Sequence, residues 1–208
     1  MNSADAAEEL CAAAARLVVD DGMEYGPAKH KALRLLGLRR GTELPGNLAL
    51  EDAVREHIAL FCADTQPAEL AALREVAVRW MTQLAEFRPH LVGAVWRGTA
   101  TRLSAVRLRL YCDDSKAAEL ALLDHRIDFD IASEPGPRGQ PVDVLVLATP
   151  SAALGEHVTV QLSVLDHDDL RGLLKPDARG RAQAGDLNAL RRLIAAEPEA
   201  APVRPASS

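Results

Sequence analysis

The stretch LVGAVWRGTATRLSAVRLRLY, residues 91–111, decides how this chain is read. Its first part, Leu91 to Trp96, is apolar with a glycine at position 93 and predicts a strand. Its last part, Val106-Arg107-Leu108-Arg109-Leu110-Tyr111, alternates apolar and charged residues. That period of two marks a strand with one buried face. Gly98-Thr99-Ala100-Thr101 between them reads as a turn or loop. Upstream, Leu70, Leu73, Ala77, Trp80, Leu84 and Phe87 repeat at helical spacing from about Thr65, and Pro89 stops the run. Downstream, Asp113-Asp114-Ser115 offers N-cap residues for a helix from Lys116 to about His125, with Leu120 and Leu123 turned inward. Three strands follow: Ile127–Ile131, Val142–Leu147 with Asp143 interrupting it, and Val158–Leu165. Pro135 to Gly139 is the turn between the first two.

The order helix, strand, loop, strand, helix, strand, strand, strand predicts an α/β (α+β) fold with a mixed sheet. Three helices are expected before it. The first runs from Ala6 to Val19, with Leu10, Ala14, Leu17 and Val18 on one face. The second starts near Pro27 and ends at Gly37, burying Ala28, Ala32, Leu33 and Leu36. The third runs from Leu50 to Phe61 with Leu50, Val54, Ile58 and Phe61 in register. A late helix spans Leu187 to Ala195. The expected organisation is an N-terminal helical region over 1–64, an α/β domain over 65–196, and a disordered Pro- and Ala-rich tail over 197–208.

Composition narrows the function classes. A formal net charge of -6 disfavours a protein that binds nucleic acid over its whole surface, although a local basic patch survives such a total. One such patch is the second helix, where Lys29, Lys31 and Arg34 are the nucleic-acid candidates. Cys11, Cys62 and Cys112 are an odd set without metal-ligand spacing, so they are expected to be reduced thiols in a cytoplasmic protein. The Ala and Arg richness suits a GC-rich bacterial source. The acidic segment Met1–Glu9 lacks the basic start of a signal peptide, and no apolar run is long enough for a membrane span. No G-x-S-x-G elbow surrounds any serine. Asp166-His167-Asp168-Asp169 is read as a loop that caps a helical turn, because consecutive side chains rarely converge on one ion.

From the fourth helix onward the residues resemble the core of the polymerase-β-like nucleotidyltransferase superfamily. Its members open that core with an apolar strand ending in Gly-Gly or Gly-Ser. The next strand carries Asp-x-Asp or Asp-x-Glu, and a later strand a third acid. Here Leu91-Val92-Gly93-Ala94 is similar to the first element. Ser104-Ala105-Val106-Arg107-Leu108 stands where the acidic pair belongs, and Pro141-Val142-Asp143-Val144-Leu145 resembles the strand of the third acid. The resemblance covers somewhat under half of the chain. The N-terminal helices, with Glu24-Tyr25-Gly26-Pro27-Ala28-Lys29, look like those of a group of proteobacterial nucleotidyltransferase-like proteins, some of which carry the label UDP-N-acetylmuramate–alanine ligase. That label gains no support from the residues. Such ligases use a glycine-rich loop with Lys-Ser or Lys-Thr, and this chain has no Gly-Lys dipeptide.

The resemblance implies nucleotidyl transfer, and that chemistry needs a divalent metal on carboxylates. Two carboxylates at i and i+2 of a strand share one face. Here those positions are Ala105 and Arg107. Alanine cannot ligate, and a permanently cationic guanidinium repels Mg²⁺. At about 4 Å and an effective dielectric near 20, each pair of like unit charges costs about 4 kcal/mol. The expectation is a degenerate nucleotidyltransferase-like protein with no metal and no other cofactor, serving as a nucleotide-binding or interaction module. Its ligand would be a nucleotide or phosphate, or its partner a protein. Arg107 would take the phosphate, with Gly93, Gly98 and Thr99 as further donors, and Asp143 is the relic carboxylate. Asp143 could equally salt-bridge to Arg107 or Arg109. Two alternatives stand beside this expectation. One is an active, Mg²⁺-dependent nucleotidyltransferase with relocated ligands at Asp113, Asp114 and Asp143. The other is a nucleic-acid-associated protein using the second helix.

Overall fold

The computed structural model describes residues 3–39, 41–114, 116–173 and 175–197. Three helices come first: α1 (Ser3–Asp20), α2 (Tyr25–Leu35) and α3 (Asn47–Phe61). Their apolar stripes close on one another. Leu10, Ala14 and Val18 of α1 meet Ala28, Ala32 and Leu33 of α2 and Leu50, Val54 and Ile58 of α3. Burying such side chains stabilises by about 1.5–3 kcal/mol each for the larger ones. Phe61, expected in that stripe, is instead 72% exposed, because α3 ends there and the chain turns toward the next helix.

The fold is α/β, with these N-terminal helices leading into a six-stranded mixed sheet. α4 (Gln66–Gln83) begins with a proline at its start and buries Leu70, Leu73, Ala77 and Trp80. A 3-10 turn, Ala85–Phe87, carries Phe87 into the same core. The remaining elements are β1 (His90–Val92), α5 (Gly93–Arg97), β2 (Val106–Tyr111), α6 (Ala117–Asp124), β3 (Asp130–Pro135), β4 (Pro141–Ser151), β5 (Glu156–Leu165), the short α7 (Leu170–Leu173), β6 (Ala184–Gly185) and α8 (Leu187–Ala196). The strand order is β3-β4-β5-β2-β1-β6. Among the described residues only β2 and β5 run parallel, and the other strand pairs are antiparallel.

The register fixes two faces. Leu108 pairs with Leu91 and Leu162, and Leu162 pairs with Leu145. That face is the main core, shared with Leu73 of α4, Leu122 of α6 and Leu190 of α8. The opposite face carries Arg107, Gln161 and Val146 in one row. It has only a small apolar cluster of Val92, Tyr111, Leu165 and Ala184, with Val142 and Leu170 against it.

Three expectations need correction. The strand over Leu91–Trp96 stops at Val92. Gly93 takes φ +74°, a conformation a pleated strand cannot hold, and the chain turns into α5 with Val95 in the core. Leu120 and Leu123 of α6 are 57% and 59% exposed, and Ala118 and Leu122 are buried instead. Apolar residues lie on every side of α6, so spacing could not choose a face. The strand expected over Ile127–Ile131 begins only at Asp130, because Arg126 at φ 55° redirects the chain and Ile127 and Phe129 pack as a connection. Beyond Glu197, the expected tail lies outside the described residues.

The helical region docks on the sheet through a close backbone approach. Gly22, after α1, has φ +66°, and a Cβ there would stand 2.7 Å from the Leu103 carbonyl oxygen. Nearby, the Thr101 hydroxyl donates to the Val19 carbonyl. Gly22→Ala is expected to destabilise the protein by about 1–3 kcal/mol, from both the overlap and the left-handed backbone. Urea unfolding measures it as a lower midpoint at an unchanged slope.

Candidate functional site

β2 and α5 build the place where the sequence pointed. Alternation along β2 turns Arg107 away from the main core. Gly93 lies directly beside it, since a Cβ on Gly93 would be 3.7 Å from the Arg107 Cδ. Both Nη groups of Arg107 are occupied. One donates to Glu24 Oε2 at 3.1 Å and the other to Glu134 Oε2 at 2.5 Å. The Ser163 hydroxyl donates to the second Glu134 oxygen at 2.6 Å. Arg107 thus bridges the start of α2 to β3 across the sheet. Its Nε is buried and has no hydrogen-bond partner among the described residues.

The other predicted residues lie elsewhere. Gly98 caps the far end of α5 at φ +77°, and its carbonyl accepts from Gln66. The Thr99 side chain is buried beside the Tyr25 phenol. Asp143 has the opposite parity to Val144 on β4, so it sits on the other side of the sheet from Arg107. It is 3.9 Å from the Lys116 ammonium, and the expected pairing with Arg107 or Arg109 is absent among the described residues. Asp114 accepts the Lys116 backbone N–H at 2.9 Å. A cation therefore stands among the acids that an active enzyme would need as relocated ligands. Among the described residues, no three His, Cys, Asp or Glu side chains converge on a point that could hold a metal. Asp169, in the acidic stretch after β5, pairs with Arg138.

The second helix presents its basic residues unevenly. Lys29 is buried and donates to Asn47 at 2.6 Å, and burial pulls its ammonium pKa below the usual range. Lys31 pairs with Asp21 at 2.9 Å. Arg34 is exposed. Arg40 lies outside the described residues.

A second cluster has no recognisable signature in the sequence. Glu51 on α3 has a side chain only 3% exposed. Its Oε1 accepts from Arg55 Nη2 and from Arg181 Nη1, each at 2.9 Å. Arg97, the last residue of α5, approaches Oε2 at 3.6 Å and lies over the Tyr25 ring. Arg55 also donates to the Arg97 carbonyl. Arg181 is held in turn by Asp177, whose carboxyl stays below the ordinary range because it accepts the Arg181 backbone N–H. These groups line an open cleft of about 580 Å³ with Asn47, Leu48 and Trp96. The only sequence signal was a glutamate at a core-facing helical position next to Leu50 and Val54. Its partners are too far along the chain for spacing to find.

Comparison with models of known protein families and with curated proteins gave no match. Among the described residues no helix is long and apolar enough to cross a membrane.

The three thiols are free. Burial raises each above the ordinary thiol range; Asp52 adds to this at Cys11, Asp20 at Cys62 and Asp114 at Cys112. The thiolate is the reactive form. At pH 8 the folded protein should therefore react with iodoacetamide more slowly than the urea-unfolded chain. The gap should narrow as pH climbs through the raised pKa values. Mass-resolved alkylation checks this, and a cysteine that reacts faster when folded would contradict it.

Proposed function

We propose that this chain is a nucleotidyltransferase-like protein without metal-dependent catalysis, acting as a binding module. The observation that carries the reading is Arg107 beside Gly93, held by Glu24 and Glu134. In the superfamily it resembles, the strand after the glycine would present carboxylates to Mg²⁺. Here the corresponding position supplies a fixed positive charge, and the neighbouring carboxylates turn onto that charge. The sequence Gly93–short helix–antiparallel strand supports the resemblance, since it brings the glycine and position 107 together. An added Mg²⁺ would have to displace a guanidinium that already satisfies two carboxylates. A cytoplasmic location goes with this reading, supported by three free thiols.

Arg107 also bears on what the module binds. Its Nη donors are spent on Glu24 and Glu134, so it offers a phosphate little beyond its buried Nε. The face around Arg107 is then a structural joint, and ligand or partner contacts lie elsewhere. Nucleic acid binding through the second helix has less support, because Lys29 and Lys31 are engaged internally.

With Mg²⁺ and labelled nucleoside triphosphates, the protein should release no pyrophosphate above the no-protein rate. Backbone NMR of Gly93 should not respond to Mg²⁺. The double variant Ala105→Asp, Arg107→Asp should gain a saturable Mg²⁺ shift at Gly93 with millimolar affinity, the order of a few weakly organised carboxylates, about 4 kcal/mol. Pyrophosphate release by the wild type that Asp143→Asn abolishes would establish the active-enzyme alternative instead. A double variant that folds and ignores Mg²⁺ would remove the correspondence of position 107 with the metal site.

A further inference from the structure

We infer that the cleft between α3, the end of α5 and the segment 176–183 binds a small phosphorylated molecule. Its phosphate would sit on Arg55, Arg97 and Arg181, and its organic part against Trp96. The site shares no residue with the one around Arg107. It does not depend on the nucleotidyltransferase reading.

Charge is the first ground. Three guanidinium groups face two carboxylates, Glu51 and Asp177, so the lining keeps one positive charge in a chain whose net charge is -6. Surplus cations at a concave surface raise the local concentration of anions. Donor capacity is the second. Each guanidinium carries five N–H groups. Glu51 has two oxygens, and one of them already accepts from both Arg55 and Arg181. Arg97 Nε and Arg181 Nη2 are buried and lack a partner of hydrogen-bond geometry among the described residues, although carboxylates lie at ion-pair distance. The N–H groups of the three guanidinium groups therefore outnumber the acceptors that Glu51 and Asp177 supply.

The arrangement favours phosphate over carboxylate. A single planar carboxylate is matched by one guanidinium fork. Here arginines from three separate elements line one cleft, so more than one fork is offered, which suits a group with more oxygens than a carboxylate. The first turn of α3 adds to this, since Asn47 and Leu48 line the cleft and the N-cap, Gly46, supplies no side-chain cap.

The organic part has its own wall. Trp96 is fixed by a 2.8 Å hydrogen bond from its Nε1 to the Ala182 carbonyl. Its ring rests on Gly185, where a Cβ would come within 2.2 Å. Ala178 and Leu193 extend the apolar surface. A volume of about 580 Å³ falls in the usual range for a small-molecule site.

The test uses the full chain in EDTA at constant ionic strength. Inorganic phosphate and adenosine monophosphate are titrated separately, and the Trp96 indole N–H is followed by NMR, identified by its loss in Trp96→Phe. Both probes should give saturable shifts, with the mononucleotide tighter than phosphate. Arg55→Gln and Arg181→Gln should each weaken binding about ten-fold. Asp177→Asn, which keeps an acceptor but removes a negative charge, should strengthen it about three-fold. Arg16→Gln, an exposed arginine elsewhere, should change nothing. No saturable shift up to roughly 10 mM of either probe overturns the site. So does a shift indifferent to both arginine variants. Equal affinity for the two probes overturns the Trp96 seat. If the arginine variants fail to fold by circular dichroism, a folded Asp177→Asn that binds no more tightly overturns the proposal.

Discussion

A carboxylate withdrawn from water must be answered by positive charge, and Glu51 is the place where this chain meets that demand. Three arginines answer it, and they come from α3, α5 and the segment before β6. These elements are scattered over the sequence, so one glutamate ties the helical region to the sheet and to the late loop. Arg179 and Asp52 repeat the link at the surface. The consequence reaches Arg107. Arg97 ends the same five-residue helix that Gly93 begins. Holding Arg97 therefore helps to hold Gly93 against Arg107.

The two charged clusters are built in opposite senses. Around Arg107 one cation serves two carboxylates, one of which also accepts from a serine hydroxyl. Around Glu51 one carboxylate serves three cations, with Asp177 as a second acid at the edge. The first has an excess of negative charge and spent donors. The second has an excess of positive charge and unspent ones. An anion would be repelled by the first and attracted by the second, irrespective of which resemblance the fold carries. Like charges kept apart on two faces of one molecule also explain how a chain of net charge -6 can present a cationic cleft.

The sheet distributes its burial unequally, and this decides what remains available. α4, α6 and α8 cover one face, where the leucines of β2, β4 and β5 interlock. The other face has a small apolar cluster and is held mainly by the Arg107 bridge. At the margin, β3 is exposed along most of its length. Asp130, Glu134 and the terminal Pro135 discourage another strand from adding there, as charge and proline do on unpaired edges.

Sequence alone determined what depends on local periodicity. The stripe from Leu70 to Phe87 and the alternation of Val106 to Tyr111 were legible, because burial of one face imposes a period of 3.6 or 2 on nearby residues, whereas the turn at Gly93 was hidden inside an apolar run that reads as a strand. The absence of carboxylates at 105 and 107 was legible too. Only the tertiary structure decided which charges meet. Asp143 was the visible candidate to join Arg107, yet one step of register on β4 puts it on the far face, and Glu134 and Glu24 take the position instead. Glu51, Arg97 and Arg181 likewise share no spacing that a reader could recognise. The physical reason is the same in both cases. A strand or helix records its own burial in its sequence, but an ion pair between distant segments leaves no periodic trace in either.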